Sequence, residues 1–286
     1  MQVQIDGIIY SLQRYGGITV YINELLKRIK ADAAGDCRVV VYEGSAANFG
    51  FLPTGYEIRP MRLAERYRRC PVLPQASLFH SSYYRLPDRC VPTVTTVHDF
   101  IYERFASGPR KWLHGWQKFA AIRASQAVIC ISESTRRDLL QFMPDIRPER
   151  LHVVYNGVSS AFYPLVPDTI NTDAARPYVL FVGARSGYKN FMPLVQAMAD
   201  LRDLDLVCIG GGALTPQETV LVQRHLGGRF AHHLGVSDVQ LNQFYNGAFC
   251  LAYPSAYEGF GIPVLEAMRA GCPVVAMNSS SIPEVA

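Results

Sequence analysis

Apolar residues along the chain alternate between short continuous runs, which predict buried strands, and helically spaced stretches, which predict amphipathic helices. In the first half, the strand-like runs are VQIDGIIY, RVVVYE, SLFHSS, TVTTVHD, AVICIS and LHVVYNG. A helix is predicted in RYGGITVYINELLKRI, whose apolar face consists of Val20, Ile22, Leu25, Leu26 and Ile29. A second helix is predicted to open at SESTRRDLL, with Ser132 as its N-cap.

The second half repeats this alternation after a stretch rich in Pro, Asn, Asp and Ser at 156–177. Its strand-like runs are YVLFVGA, LDLVCIGGG, FAHHLG, AFCLAYPS and PVVAM, with helical stretches between them, including helices from about Phe191 and from Ser237. Such alternation predicts a parallel, doubly wound sheet. We therefore predict two α/β domains, at 1–165 and 178–286, which face each other across a cleft and are joined by a linker at 166–177.

The net charge of +4 is unevenly distributed along the chain. Through Asp168 there are 21 Lys and Arg against 15 Asp and Glu, which gives +6, and the remainder has 7 against 9, which gives −2. The excess is greatest in RPMRLAERYRRCP at 59–71, with five arginines and one glutamate. This segment is either a solvated helical face or a contact with an anionic membrane surface or lipid-linked substrate. Nucleic acid is disfavoured because no nucleic-acid-binding motif accompanies it.

Several classes of protein lack support in the sequence. The seven cysteines are scattered, without a CxxC pair, and we interpret them as reduced core residues of a cytosolic protein. We expect no signal peptide, no membrane span and no metal site, because MQVQIDGIIY lacks a basic start and the chain has neither a long apolar run nor an HExxH motif. Walker, GxGxxG and GxSxG motifs are absent as well.

Residues suited to binding an anionic ligand follow several predicted strands. Gly16 and Gly17 precede a helix, where backbone amides can approach an anion, although a glycine turn without a ligand is equally consistent. His98 ends the strand TVTTVHD, as a ligand-facing or a structural histidine. Arg185 and Lys189, in VGARSGYKN, place two cations on a glycine loop, which suits a diphosphate, with a basic surface turn as the alternative.

Two carboxylates lie eight residues apart in YEGFGIPVLEAMRAG. Gly259 and Gly261 predict a tight turn, after which a helix begins near Ile262. Glu258 then lies just before the helix N-terminus and Glu266 lies one turn inside the helix. Helix-dipole stabilisation could explain Glu258 alone, and solvent exposure could explain Glu266 alone. The two glutamates together with the basic loop are better explained by a ligand site.

With these motifs in place, the chain resembles the retaining GT-B glycosyltransferases, specifically glycosyltransferase family 4. EGFGIPVLEAM matches the E-x7-E element of that family and is highly specific. GGI, VHD, CISESTRRDL, VYNGV, VLFVGARSGYKN and HLGVSD are looser matches that occur in the family order across nearly the whole chain. The resemblance implies a GT-B fold, with a nucleotide-sugar bound mainly to the second domain and an acceptor bound mainly to the first.

The resemblance also implies roles for individual residues. Glu266 would accept hydrogen bonds from the ribose hydroxyls, and Glu258 would face the donor sugar. The remaining donor-binding residues would be Gly259, Phe260 and Gly261 of the turn, Arg185 and Lys189 at the diphosphate, Val236 at the base, and Gly16 and Gly17 near the phosphates. His98 would lie near the sugar, so His98 and Glu258 are the candidate catalytic residues.

Two departures from the family pattern bear on these roles. Arg185 stands at an unusual offset from Lys189, which leaves its phosphate role open. The second domain also looks truncated, because SSSIPEVA follows a strand and a turn and no terminal helix is expected there.

The resemblance predicts a cytoplasmic enzyme, at the inner face of the cell membrane, that builds surface polysaccharide or glycolipid. It would transfer a hexose, with mannose as the leading candidate, from a GDP- or UDP-linked donor to a saccharide or lipid-linked acceptor with retention. It would use neither a metal nor another cofactor. The alternatives are a GT-B phosphorylase or sugar-phosphate-using enzyme, and a nucleotide-binding module without turnover.

Overall fold

The computed structural model describes residues 2–13, 16–31, 36–45, 55–172, 176–185 and 187–286. The chain divides into two compact units, Met1–Asn156 and Gly157–Ala286. This division comes before the linker that composition predicts at 166–177. The segment after Gly157 belongs to the second unit because Phe162 is part of its core, and the Tyr163 amide donates to Asn242 Oδ1 over 3.1 Å.

The first unit contains a seven-stranded sheet in which every neighbouring pair is parallel, in the order β3-β2-β1-β4-β5-β6-β7. Its strands are β1 Gln2–Asp6, β2 Asp36–Tyr42, β3 Tyr56–Arg59, β4 Leu78–Ser81, β5 Thr93–Val97, β6 Ala127–Cys130 and β7 Leu151–Val153. The sequence pattern missed β3, whose residues are exposed or half-buried throughout. An edge strand of this kind has no apolar run to reveal it.

The helices of the first unit are α1 Ile9–Leu12, α2 Gly17–Ala31, α3 Ile101–Phe105, α4 Pro109–Ala124 and α5 Glu133–Phe142. The prediction of a strand through Tyr10 is wrong, because the strand ends at Asp6 and α1 follows. The Gly7 amide donates to the Val40 carbonyl over 2.7 Å, and a Cβ on Gly7 would lie 2.7 Å from the same oxygen. Only glycine fits this turn.

Two helix predictions in this unit are confirmed. Ile22 and Leu26 of α2 pack with Ile9 in one core cluster. Ser132 caps α5 by accepting a 2.9 Å hydrogen bond from the Thr135 amide. The interpretation of 59–71 as a helical face is wrong, because only Glu65–Tyr67 is helical there, as a 3-10 turn preceded by a left-handed Ala64.

The second unit contains a five-stranded parallel sheet in the order β10-β9-β8-β11-β12, as the alternating pattern predicts. The strands are β8 Tyr178–Val182, β9 Asp205–Ile209, β10 Phe230–His233, β11 Cys250–Tyr253 and β12 Val274–Ala276. The helices are α6 Phe191–Ala197, α7 Pro216–His225, α8 Asp238–Gly247, α9 Ile262–Arg269 and α10 Ile282–Val285. The expectation of no helix in SSSIPEVA is therefore wrong, since α10 forms one turn there.

Two apolar clusters, one on each side of the strands, hold the second unit together. One contains Leu180, Tyr245, Val264 and Ile282, and the other contains Phe181 and further residues from α6 and α7. All seven cysteines are free thiols. Five of them are buried, in agreement with their interpretation as core residues, but that interpretation is wrong for Cys90, which is exposed, and Cys37 is only half-buried.

Substituting Gly261 by alanine should destabilise the second unit by about 1–2 kcal/mol or more. Gly261 has a φ of +101°, and an added Cβ would lie 2.7 Å from Ile282 Cδ1. Urea denaturation measures the loss, with Gly228→Ala as the control because a Cβ at Gly228 meets nothing within 4 Å. Equal stability of the two variants would contradict the steric argument.

Candidate active site

The turn between β11 and α9 carries Glu258, and the second unit fixes it from two directions. Lys189 Nζ, from the loop after β8, donates to Glu258 Oε1 over 2.5 Å, and both side chains are largely buried. The Glu258 amide donates to Ser280 Oγ over 2.8 Å, and Ser281 Oγ donates to the Glu258 carbonyl over 3.0 Å. The carboxylate is therefore held rigidly beside a cation.

Sequence reasoning missed the serines of this bracing turn. Ser281 is fully buried, and its hydroxyl also lies 2.9 Å from the Phe260 carbonyl, so one residue supports two carbonyls of the EGFG turn. Ser280 adopts a φ of +49°, a strained value for a serine. The only sequence signal is the run of three serines that follows β12.

The loop that carries Lys189 is attached to the same turn. Asn190, in the left-handed region, donates its Nδ2 to the Pro254 carbonyl over 2.8 Å, and the Ala256 amide donates to the Tyr188 carbonyl over 2.8 Å. The 3-10 turn Gly187–Lys189 and the end of β11 thus form one connected site.

Glu266 lies on α9 and pairs with α8 rather than with a cation. Tyr245 Oη, from α8, donates to Glu266 Oε2 over 2.8 Å. Burial, with a smaller contribution from Asp238, raises the pKa of Glu266 from 4.5 to about 7 in spite of the Tyr245 hydrogen bond. Tyr245 is fully buried, so it fixes the orientation of this carboxylate. The sequence showed Tyr245 only as an apolar position of a helix.

Arg185 is placed differently from Lys189. Its Nε donates to Glu218 Oε1 over 3.1 Å, and its terminal nitrogens donate to the carbonyls of Gly210, Gly212 and Ala213 over 2.8–2.9 Å. The side chain is only 3% exposed. Arg185 therefore shapes the loop after β9, and its predicted contact with a diphosphate stays a prediction that would require these bonds to be exchanged.

The loop after β9 contains three consecutive glycines. Gly210, Gly211 and Gly212 all have positive φ, at +84°, +76° and +74°. A Cβ on Gly211 would lie 2.5 Å from Arg185 Nη1, so the loop wraps closely around the guanidinium. Gly211 is thus required by the position of Arg185.

The other predicted donor residues of the second unit lie near this site. Gly259 and Phe260 are buried in the turn between Glu258 and Gly261. Val236 follows β10 after a left-handed Gly235 and packs, half-buried, against the cluster that contains Tyr245. Its predicted contact with the base stays a prediction.

His98, Gly16 and Gly17 belong to the first unit. His98 follows β5, is 7% exposed and meets the edge of the Tyr21 ring at a centroid distance of 5.1 Å. Burial, aided by His80 and Lys118, lowers the pKa of His98 from 6.5 to about 3, so the imidazole is neutral near pH 7. Gly17 opens α2, and a Cβ added there would meet no atom within 4 Å, whereas a Cβ on Gly16 would contact the Gln13 side chain.

Two classes of site receive no support from the described part of the chain. Within the ranges given above, no group of three or more His, Cys, Asp or Glu side chains is arranged to hold a metal ion. Among those same residues, no helix has the length and apolar character needed to cross a bilayer.

Comparison with known proteins identifies the family. The family model described as Glycosyltransferase Family 4 matches residues 15–162, and that described as Glycosyl transferases group 1 matches residues 167–286. The chain belongs to glycosyltransferase family 4. The E-x7-E element and the ordered motifs had predicted this membership, which is now confirmed.

Curated relatives within family 4 include the alpha-maltose-1-phosphate synthase of Mycobacterium tuberculosis, 31% identical over 68% of this chain. The chain spans 56% of the length of that relative. The O-antigen chain mannosyltransferase B of Escherichia coli is 28% identical over 85% of this chain and 70% of its own length.

The fold is also shared with solved structures. HepE from Anabaena, solved in complex with UDP and glucose, superposes with a TM-score of 0.74 at 18% identity, covering 99% of this chain and 82% of HepE. Two parallel-sheet α/β domains, the second with the smaller sheet, are the GT-B fold, as predicted.

Replacing Arg185 by alanine should cost about 3–5 kcal/mol of stability, because it leaves the buried Glu218 carboxylate without its cation and the loop carbonyls without donors. Denaturant titration measures this cost. Arg224→Ala, an exposed change on the neighbouring α7, is the control and should stay within about 0.5 kcal/mol of the parent. A fully stable Arg185→Ala protein would instead favour the ligand-binding interpretation.

The raised pKa of Glu266 predicts a loss of stability as the pH rises. Between the unfolded pKa near 4.5 and the folded pKa of about 7, the folded chain binds more protons than the unfolded chain. Its contribution to the free energy of unfolding therefore falls across this window. Denaturation at pH 5 and pH 8 should show a larger fall for the parent than for Glu266→Gln, and parallel curves would contradict the shift.

Proposed function

We propose that this chain is a retaining hexosyltransferase, which moves a hexose from a nucleotide-sugar to a saccharide or lipid-linked acceptor during surface polysaccharide or glycolipid synthesis. The observation that carries the proposal is the pairing of Lys189 with Glu258 at the β11–α9 turn. Glu266, on the helix that follows this turn, accepts a hydrogen bond from Tyr245. One cation and two carboxylates, each carboxylate with a different hydrogen-bond partner, therefore belong to the proposed site.

Electrostatic attraction and repulsion indicate which part of the nucleotide-sugar each charged side chain would contact. A diphosphate repels carboxylates and attracts ammonium groups, so the phosphates belong at Lys189 and the sugar hydroxyls at the glutamates. Ionised Glu258 can accept charge-assisted hydrogen bonds from hexose hydroxyls while Lys189 compensates the negative charge on the leaving phosphate. No metal or other cofactor is needed in this scheme, because Lys189 supplies the positive charge.

Glu266 suits the ribose hydroxyls for a related reason. Tyr245 occupies Oε2 of the carboxylate, which leaves the other oxygen and further lone pairs for hydroxyl donors. His98, neutral near pH 7, could exchange a hydrogen bond with a sugar hydroxyl but would not supply a proton as a strong acid. We assign it to substrate contact in the first domain, with Gly17 allowing a close backbone approach.

The relatives support the choice of hexose and process. The Escherichia coli relative is named as an O-antigen chain mannosyltransferase, and HepE was solved with UDP and glucose. We therefore propose a GDP- or UDP-linked hexose, with mannose first, and action in the cytoplasm at the inner face of the membrane. A sugar-phosphate-using enzyme is the second candidate, because the Mycobacterium tuberculosis relative is named for a phosphorylated product.

Glu258→Gln should lower kcat/KM for the nucleotide-sugar by about 10- to 100-fold, the value of a hydrogen bond to a charged group. The variant keeps the size of the side chain, so its fold should survive. A panel of UDP- and GDP-hexoses, read by release of the nucleoside diphosphate, supplies the donor for the measurement.

Asp203→Asn is the matched control for this prediction, since it removes an exposed carboxylate from the same unit. Parent and control should have the same kcat/KM, and both should gain thermal stability from saturating UDP or GDP. Nucleotide binding without turnover of any donor would favour a binding module. Unchanged turnover by Glu258→Gln would reject the sugar-facing role.

A further inference from the structure

A cavity of about 420 Å³ lies at the carboxyl edge of the first sheet and is lined mainly by the arginine-rich segment 59–71. We call it the basic pocket and define it by Tyr42, Arg59, Arg62, Glu65, Arg68 and Arg69. Tyr42 and Arg59 are register partners that end β2 and β3. Because ligands of parallel α/β sheets bind at the carboxyl ends of strands, the pocket occupies a binding edge.

The wall of the basic pocket is built on a buried ion network. Arg85, fully buried, donates to Asp6 Oδ1 over 3.1 Å and to Glu65 Oε1 over 2.8 Å. It also donates to the carbonyls of Arg68 and Arg69 over 2.9 and 3.2 Å. These hydrogen bonds fix the backbone that carries Arg68 and Arg69.

The arginines are themselves partly tethered. Arg68 Nε donates to the Leu63 carbonyl over 3.2 Å, and Arg69 Nη1 donates to the Pro87 carbonyl over 2.9 Å. Arg59 Nε is bound to Glu57 over 2.7 Å. Arg59 Nη1 also donates to the Pro71 carbonyl over 3.4 Å, so Arg59 is tethered through two nitrogens. For these three tethered arginines, less side-chain entropy is lost on binding than for a free arginine.

The charge of the basic pocket is positive. Four guanidinium groups line it together with one carboxylate, Glu65, which is paired with Arg85, and one of the four, Arg59, is paired with Glu57. Planar guanidinium forks match the oxygens of a phosphoryl group, which can accept bidentate hydrogen bonds. The wall therefore selects a dianionic phosphoryl group over a neutral sugar.

We propose that the basic pocket binds the phosphoryl group of a phosphorylated acceptor. This inference rests on the proposed function, since it names the acceptor class for the same enzyme. The phosphoryl group belongs either to a soluble polyol or sugar phosphate or to a lipid phosphate, and both present the same chemistry to the arginines.

Calorimetric titration of the full chain, saturated with UDP or GDP to occupy the donor site, tests the soluble source. The probes are inorganic phosphate and glycerol 3-phosphate. Arg62→Gln/Arg68→Gln should weaken binding of each probe by about tenfold or more per arginine removed. The control is Arg28→Gln/Arg147→Gln, which removes the same charge from exposed positions of the same unit.

Vesicles of phosphatidylcholine with and without phosphatidic acid test the lipid source in the same three proteins. Binding that requires phosphatidic acid and is lost only in Arg62→Gln/Arg68→Gln assigns the phosphoryl group to a lipid, and binding of the soluble probes assigns it to a free phosphate. Equal binding by the two double variants, or none of these probes bound by the parent, overturns the proposal.

The nucleotide measurement keeps this proposal separate from the proposed function. UDP or GDP should stabilise Arg62→Gln/Arg68→Gln as much as the parent, because Lys189, Glu258 and Glu266 lie in the other unit and neither substituted arginine is a predicted donor residue. Absence of any nucleotide effect in the parent contradicts the proposed function. If the parent binds nucleotide but none of the phosphate probes, only the basic-pocket proposal is contradicted.

Discussion

Parallel pairing of the strands is the constraint on which the rest of this structure depends. Since neighbouring strands in each described sheet run in the same direction, every strand of a sheet delivers its following loop to one edge. In the second unit, that edge collects Lys189 after β8, the glycine loop after β9, Glu258 after β11 and the serine turn after β12. Residues far apart in sequence thereby become neighbours without a dedicated scaffold.

Within that edge, two acidic side chains are given different surroundings. Glu258 is compensated by an ammonium group, whereas Glu266 accepts a hydrogen bond from a neutral tyrosine hydroxyl. Desolvation is therefore opposed by an ion pair at the first and by a hydrogen bond alone at the second, where the pKa rises to about 7. Two glutamates that lie eight positions apart therefore have different electrostatic environments.

The sequence could predict what depends on local pattern. The alternation of runs and helices predicted both sheets, and the glycines around Glu258 predicted its place before a helix. It could not predict partners that tertiary packing supplies: Tyr245 for Glu266, or Ser280 and Ser281 for the turn. Arg185 shows the limit most clearly, because a cation on a loop after a strand suggested a ligand, while the folded chain directs it to its own carbonyls.

The serine turn after β12 makes the geometry around Glu258 depend on a strand that carries none of the predicted donor residues. Ser281 is buried, and its single hydroxyl lies 3.0 and 2.9 Å from two carbonyls of the EGFG turn. Residues 280–282 together supply the two hydroxyls that brace Glu258 and the side chain of Ile282 that packs beside Gly261. A change confined to these three residues would therefore alter the turn that carries Glu258, even though β11 and α9 remained intact.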